Sequence, residues 1–324
     1  MLILILLSTQ SIKILATPLK VTMKMINSDT LLLGFPDYAQ QALALAKSIN
    51  APYCEVKIHY FPDGESQIVL PSTLPKHIIL CRSLNLPNEK LIELLMVAGS
   101  ARKQGVISIT LVAPYMCYLR QDKAFHSGEV ISQTIIGELL AHYFDNVLTV
   151  DAHLHRVHEL SQAIPVKHAI NVTATKPMAQ FIQDQIERPF LIGPDSESEQ
   201  WVANIADHYQ MEYRIAAKER LGDKEVRTVL PVADYEGRHI VIVDDMASTG
   251  KTLLAVVKLL ADYAPASISV LVTHALFVDD AMTDLHRANV TNIWSCDAIS
   301  HPTNAIPLAE LLAEQLQKIL VYSR

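Results

Sequence analysis

The chain has 324 residues, half of them apolar, which is enough to bury a large core and to build two domains. With 34 acidic and 27 basic residues the net charge is −7, so no cationic field draws in nucleic acid, and no basic stripe interleaved with aromatics compensates. Four cysteines, Cys54, Cys81, Cys117 and Cys296, are too few and too scattered for a disulfide framework or a zinc cluster; the expectation is buried free thiols in a reducing cytosol.

The opening stretch MLILILLSTQSIKILATPLKVTMK has no basic residue ahead of its apolar run and no small-residue cleavage site. Its apolar run is roughly a third of the length a bilayer span needs. Residues 1–25 are therefore set apart as an extension or an over-extended start, with Met23 and Met25 just before the first strand-like run. From Thr30 short apolar runs alternate with helical ones: LLLGF, then YAQQALALAKSI, HIILCRS, NEKLIELLMVAGSARKQG and SITLVAPY. NVLTVDAH, RPFLIGPD, HIVIVDD, SISVLVTHAL and TNIWSCDAI continue the pattern. Near-continuous apolar strands are buried on both faces, which predicts an α/β fold with parallel sheets covered by helices. SITLVAPY with its loop and HIVIVDDMASTGKT with its helix form a weak long-range repeat, and the apolar periodicity lapses around Pro165, where a domain boundary is expected.

Polar residues gather where these strands end, which is where open α/β sheets bind ligands. They are Asp63 and Glu65 in HYFPDGE, Arg120 to Lys123 in YLRQDK, Asp151, His153 and His155 in VDAHLH, Asp195 in GPD, and Asp244 with Asp245 in VDD. STGKT resembles the end of a P-loop, but the G-x-x-x-x-G-K-[ST] pattern requires glycine at position 245, which is an aspartate. Carboxylates at Asp244 and Asp245 suit a sugar diol or hydrated Mg²⁺, while the helix that follows Ala247 to Thr252 offers N–H groups and hydroxyls to an anion. A diol at one end and phosphate at the other describe a phosphorylated pentose. DAHLHRVHE lacks the partners of a zinc site, which leaves His155 and His158 as surface or interface residues.

VIVDDMASTGKT resembles the phosphoribosyl-diphosphate binding loop of the type I phosphoribosyltransferase fold. FPDGE, APYMCYLRQDK, TVDAH, GPD and KER follow in the order found in ribose-phosphate pyrophosphokinases, over roughly residues 26–324. RQDKAFHSGEVIS, Arg120 to Ser132, is similar to the RQDKxFxxGExIS variant more than to the commoner bacterial form. The resemblance implies two tandem phosphoribosyltransferase-type domains, each a mainly parallel sheet flanked by helices: 26–166 on the ATP side and 167–324 on the ribose-phosphate side. It implies transfer of the β,γ-diphosphate of ATP to O1 of ribose 5-phosphate, with Mg²⁺, in a cytoplasmic homo-oligomer of two to six chains that binds neither nucleic acid nor membrane.

Carried over motif by motif, the resemblance has Phe61 stack on adenine and Asp63 and Glu65 bind the base edge or orient its loop. Arg120, Gln121 and Asp122 would meet the nucleotide, Arg120 near its phosphates, and His153 would ligate or position Mg²⁺. Asp195 would sit by ribose and metal; Asp244 and Asp245 would hold the ribose hydroxyls; Ser248, Thr249, Gly250, Lys251 and Thr252 would hold the 5-phosphate. Lys218 and Arg220 match the basic pair that stabilises charge on the transferring group. Ser248 stands where many members are acidic, Lys251 where glycine is usual, and GPDSESEQ lacks a glycine-rich continuation. These departures bear on ribose-phosphate affinity and regulation more than on reaction type. A catalytically silent regulator would lack the basic pair or the metal-side His and Asp, and an ordinary phosphoribosyltransferase would need one domain; the chain keeps the former and has the length and ATP-side motifs of two domains.

Overall fold

Runs of Leu, Ile and Val that are apolar at every position pair in parallel beneath helices. The computed structural model, which describes residues 29–154, 156–220 and 226–322, assembles them into two six-stranded parallel sheets. Residues 1–25 and His155 lie outside the described residues.

The first half contains β1 (Thr30–Gly34), α1 (Ala39–Ser48), β2 (Tyr53–Glu55), the antiparallel pair β3 (Lys57–Tyr60) and β4 (Ser66–Val69), β5 (His77–Cys81) and α2 (Pro87–Lys103). It continues through β6 (Ser108–Val112), α3 (Ser132–Tyr143), β7 (Asn146–Val150), α4 (Leu160–Ala163), β8 (His168–Val172) and α5 (Thr175–Gln185). The second half repeats this plan with β9 (Phe190–Gly193), α6 (Glu199–Tyr209), β10 (Glu212–Ile215), the antiparallel pair β11 (Ala217–Arg220) and β12 (Val226–Val229), and β13 (His239–Ala247). Then follow α7 (Lys251–Ala261), β14 (Ser267–Ala275), α8 (Ala281–Arg287), β15 (Asn292–Cys296), β16 (Asn304–Ile306) and α9 (Ala309–Tyr322).

The strand orders β2-β1-β5-β6-β7-β8 and β10-β9-β13-β14-β15-β16 are the same, and each half sets its antiparallel ribbon at the same point in the chain. The repeat is therefore real, but its register differs from the one expected. SITLV in β6 matches SISVL in β14, and HIILC in β5 matches HIVIV in β13, because central strands buried on both faces look alike until their sheet positions are known.

Successive strand residues face opposite sides, so each sheet has two apolar faces. One core cluster joins Leu32, Ile79 and Leu148 of the first sheet to Leu191, Val241 and Leu271 of the second through α1, α5, α6 and α9. The outer faces carry separate cores, with Leu91, Leu94 and Leu140 on one and Val256, Leu260 and Leu285 on the other. Helix α5 packs on α6 and α1 on α9, so each half lends its last helix to the other. The Tyr38 hydroxyl donates to the Asp297 carbonyl at 2.6 Å, and Ser48 donates to Glu310 at 2.6 Å. A cut at 166/167 would separate β8 from the sheet in which it pairs with β7. Cys81, Cys117 and Cys296 are buried, Cys54 is half-buried, and all are unpaired. No helix among the described residues is long and apolar enough to cross a membrane.

Candidate active site

Strand β13 runs on through Asp244 and Asp245 to Ala247 alongside β14. The chain then turns at Ser248 and Thr249 into Gly250, whose φ of +68° sets the start of α7. A Cβ at Gly250 would meet the Ala281 Cβ at 3.3 Å, so both backbone angle and space favour glycine there. No side chain caps α7, which leaves its first N–H groups and its positive dipole end open to an anion. Thr249 and Lys251 are exposed, and Ser248 and Thr252 half-buried, around that opening.

Three carboxylates meet beside it. Asp195 caps a short 3₁₀ turn by accepting from the Glu197 N–H at 3.1 Å, and its other oxygen accepts from Lys218 Nζ at 2.6 Å. Asp245 is buried and lies 2.5 Å from His153 Nδ1, which comes from the first half of the chain. Asp244 receives the Asp245 N–H at 3.0 Å; burial, then the charges of Asp245 and Asp195, push its carboxyl well above the usual range. Burial alone would lower the pKa of His153, but its hydrogen bond to Asp245 and that charge outweigh burial and raise it.

His153 is placed by the turn that ends β7. Asp151 is buried there at φ +41°, and its carboxylate accepts from Trp201 Nε1 at 3.1 Å, Thr273 Oγ1 at 2.9 Å and the Ala174 N–H at 3.1 Å. Two of these donors belong to the second half. Beside this turn lies a cleft of about 360 Å³ lined by Asn85, Tyr115, Arg120, Gln121, His153 and Met246, among others. The Arg120 guanidinium reaches Met246 Sδ across the seam. A cleft, an open helix start and a carboxylate cluster thus adjoin one another where the two sheets end.

A family model described as the N-terminal domain of ribose phosphate pyrophosphokinase matches residues 32–143, and one described as the phosphoribosyl transferase domain matches residues 166–308. The ribose-phosphate pyrophosphokinase of Saccharolobus solfataricus is 30% identical over 265 residues, 79% of this chain and 89% of that protein. The chain belongs to the ribose-phosphate pyrophosphokinase family. The ribose-phosphate pyrophosphokinase of Methanopyrus kandleri is 29% identical over 279 residues, covering 85% of this chain and 94% of that one. The solved phosphoribosylpyrophosphate synthetase of Mycobacterium smegmatis shares the fold at a TM-score of 0.78 and 20% identity, over 91% of this chain and 99% of that one.

Among the expected site residues, Asp195, Lys218, Asp244, Asp245 and His153 come together, and Arg120 and Gln121 line the adjoining cleft. Arg220 closes strand β11, where its backbone pairs with Val226. Phe61, Asp63 and Glu65 do not reach the cleft: they form the turn between β3 and β4, a ribbon separate from the first sheet. Phe61 and Glu65 share a backbone bond of 2.8 Å, and Asp63 accepts the Glu65 N–H at 3.2 Å, the ordinary work of a turn aspartate. Asp122 also turns aside; its buried side chain pairs with Arg156 at 2.5 Å and lines no part of the cleft.

The loop after Gln121 is tied by Glu129, the acidic residue of the RQDKAFHSGEVIS string, to which the sequence assigned no role. Glu129 accepts from the Phe125 N–H at 2.6 Å, from Gln121 at 3.4 Å and pairs with His126 at 2.6 Å. His158 is exposed, away from any ligand cluster. Among the described residues no group of three or more His, Cys, Asp or Glu side chains stands in ligating array. Mg²⁺ needs only one or two carboxylates when phosphate and water complete its shell, and three mutually repelling carboxylates supply the hard oxygen it prefers.

Proposed function

We infer that the protein is a ribose-phosphate diphosphokinase, transferring the β,γ-diphosphate of ATP to O1 of ribose 5-phosphate and releasing AMP and 5-phosphoribosyl 1-diphosphate. The observation that carries this is the 2.5 Å contact of His153 with Asp245, which joins the cleft of the first half to the sugar-phosphate loop of the second. In the reaction O1 forms a bond to the β phosphorus, and the bond from that phosphorus to the oxygen shared with the α phosphorus breaks. AMP leaves with that oxygen, and the proton of the O1 hydroxyl is released.

We assign the open start of α7, with Ser248, Thr249, Gly250, Lys251 and Thr252, to the 5-phosphate, and Asp244 and Asp245 to the ribose hydroxyls. Arg120 and Gln121 line the nucleotide side. Lys218 and Arg220 supply positive charge to the oxygens of the group in flight, which is the largest service a protein renders this chemistry. For Lys218 this means exchanging Asp195 for the diphosphate oxygens only as the group transfers. Mg²⁺ held by Asp195 or His153 together with phosphate oxygens would neutralise charge on the diphosphate.

We place the domain boundary after α5, since β8 completes the first sheet. The exposed Phe61, Ile92, Met96 and Ile135 support a homo-oligomer, in which Phe61 meets a nucleotide through contact with a second copy. Four unpaired thiols support a cytoplasmic setting. Phosphorus NMR of the protein with ATP, Mg²⁺ and ribose 5-phosphate tests the reaction: AMP and the sugar diphosphate should appear in equal amounts, and a chelator should stop both. Intact ATP under these conditions would sink the assignment.

A further inference from the structure

The internal repeat exposes an asymmetry at the seam between the halves. Thr110 faces Asn146 across β6 and β7, and Ser269 faces Asn292 across β14 and β15. In both halves the asparagine amide donates to that hydroxyl, at 3.0 and 3.2 Å. Five residues beyond each hydroxyl stand Tyr115 and His274, and five beyond each asparagine stand Asp151 and Asp297. The rings of Tyr115 and His274 meet edge to face, 5.0 Å apart, so the two matching positions touch where the halves join.

The turns they approach differ. Asp151 is held at φ +41°, a region that residues with side chains avoid, whereas Asp297 has no positive φ. Two residues past Asp151 comes His153; the matching residue past Asp297 is Ile299. The strained turn thus belongs to the half whose turn carries a site residue.

His274 reaches this turn from the opposite half. Its Nε2 lies 3.1 Å from the Val150 carbonyl and 3.3 Å from that of Asp151. Both partners only accept, so Nε2 carries the hydrogen. Burial lowers the pKa of His274 despite the nearby Asp151 charge, which keeps the ring neutral. Nδ1, which then bears the lone pair, is buried with no hydrogen-bond partner among the described residues, and the ring forms part of the cleft wall. A Leu or Phe would fill the same volume without leaving a polar atom orphaned, so packing alone does not account for a histidine.

We propose that His274 is a positioning residue for diphosphoryl transfer: its Nε2–H fixes the turn at Val150 and Asp151 and so sets where His153 meets Asp245 and the nucleotide. This rests on the reading of the site given above. Steady-state kinetics of the full chain with His274→Leu, His274→Gln and His274→Asn test it. Gln places an amide N–H near the Nε2 position; Asn places it nearer the backbone, out of reach of the turn.

His274→Leu should lower kcat about 10²-fold, as a misplaced reacting group does. The KM for ribose 5-phosphate should stay within about threefold, since the α7 loop is untouched. His274→Gln should recover most of the loss and His274→Asn little of it. Should the Leu variant fail to fold, the Gln and Asn variants decide by themselves. Wild-type kcat in the Leu variant overturns the proposal, as does a Gln variant no better than Asn. An inactive wild type overturns the reaction assignment and the positioning role with it; an active wild type with indifferent variants overturns the positioning role alone.

Discussion

Asp297→Asn should stabilise the protein at neutral pH, and the gain should vanish in acid. Asp297 lies half-buried just after β15, with its side chain against the start of α9, and burial pushes its carboxyl up from 3.8 to about 6, although its Oδ1 accepts the Leu308 N–H at 2.8 Å. No cation among the described residues offsets that burial: the neighbouring Tyr38 hydroxyl and the Cys81 and Cys296 thiols are themselves pushed up and stay neutral. A carboxyl whose pKa is raised by folding holds its proton longer in the native state. Native protein therefore binds more protons than unfolded protein between pH 4 and 6, and stability falls as pH rises through that window. At about 1.4 kcal/mol per unit, the penalty at pH 7 amounts to about 3 kcal/mol. Asparagine keeps an acceptor for the Leu308 N–H and has no charge to bury. Guanidinium unfolding of both proteins from pH 4 to 8 should show the variant ahead by up to about 3 kcal/mol above pH 6, with the curves converging near pH 4. A difference that stays constant across this range would refute the argument, because only ionisation of Asp297 varies between the two proteins.

Lys218→Ala should lower kcat by about 10²- to 10³-fold with little change in either KM, as loss of a charge that acts only in the transition state does; a raised KM at unchanged kcat would move Lys218 to ground-state binding. Asp245→Ala should weaken ribose 5-phosphate binding about tenfold or more by calorimetry, as loss of charged hydrogen bonds does; unaltered affinity would take the sugar away from that carboxylate. Arg82→Met leaves Glu93, otherwise bonded to Arg82 at 2.6 Å, buried without its cation. It should cost about 3 to 5 kcal/mol in denaturant unfolding, with much of that regained by Arg82→Met paired with Glu93→Leu; equal stability of single and double variants would argue against the buried pair.

The α/β class is legible in the sequence, as are the carboxylates and helix start of the loop proposed for the sugar phosphate, because each is written locally. Continuous apolar runs announce buried strands, and VDDMASTGKT holds carboxylates, turn and helix start within a few residues. The seam was not legible. Trp201 lies 50 residues from Asp151 and Thr273 lies 122 residues from it, so no local pattern links them. HAINV, a strand at the sheet edge and only partly buried, reads in the sequence as a lapse in periodicity, so its pairing with β7 is not legible there. Motif likeness also fails to show where a side chain points. Asp122 sits in the same RQDK string as Arg120, yet one lines the cleft and the other is spent on Arg156.

The repeat also shows how the matching strand ends of the two halves differ. Cys81 faces Val112 as Val243 faces Leu271, and Val112 and Leu271 lie two residues past the matched Thr110 and Ser269. Arg82 therefore stands where Asp244 stands. In the first half that arginine is buried over the Phe35 ring at 4.5 Å and pairs with Asp37 at 2.9 Å and Glu93 at 2.6 Å, while Lys90 adds a second cation to Asp37 at 2.8 Å. Opposite charges there neutralise one another within the chain. In the second half Asp244 has Asp245 and Asp195 for neighbours; Asp245 is hydrogen-bonded to His153 from the other half, and Asp195 pairs with Lys218. Asp244 is left as the carboxylate whose charge burial and its neighbours resist. A metal ion or the hydroxyls of a sugar would relieve that resistance, so the same strand end is closed by its own ion pairs in one half and, on the proposed reading of the site, left to a ligand in the other.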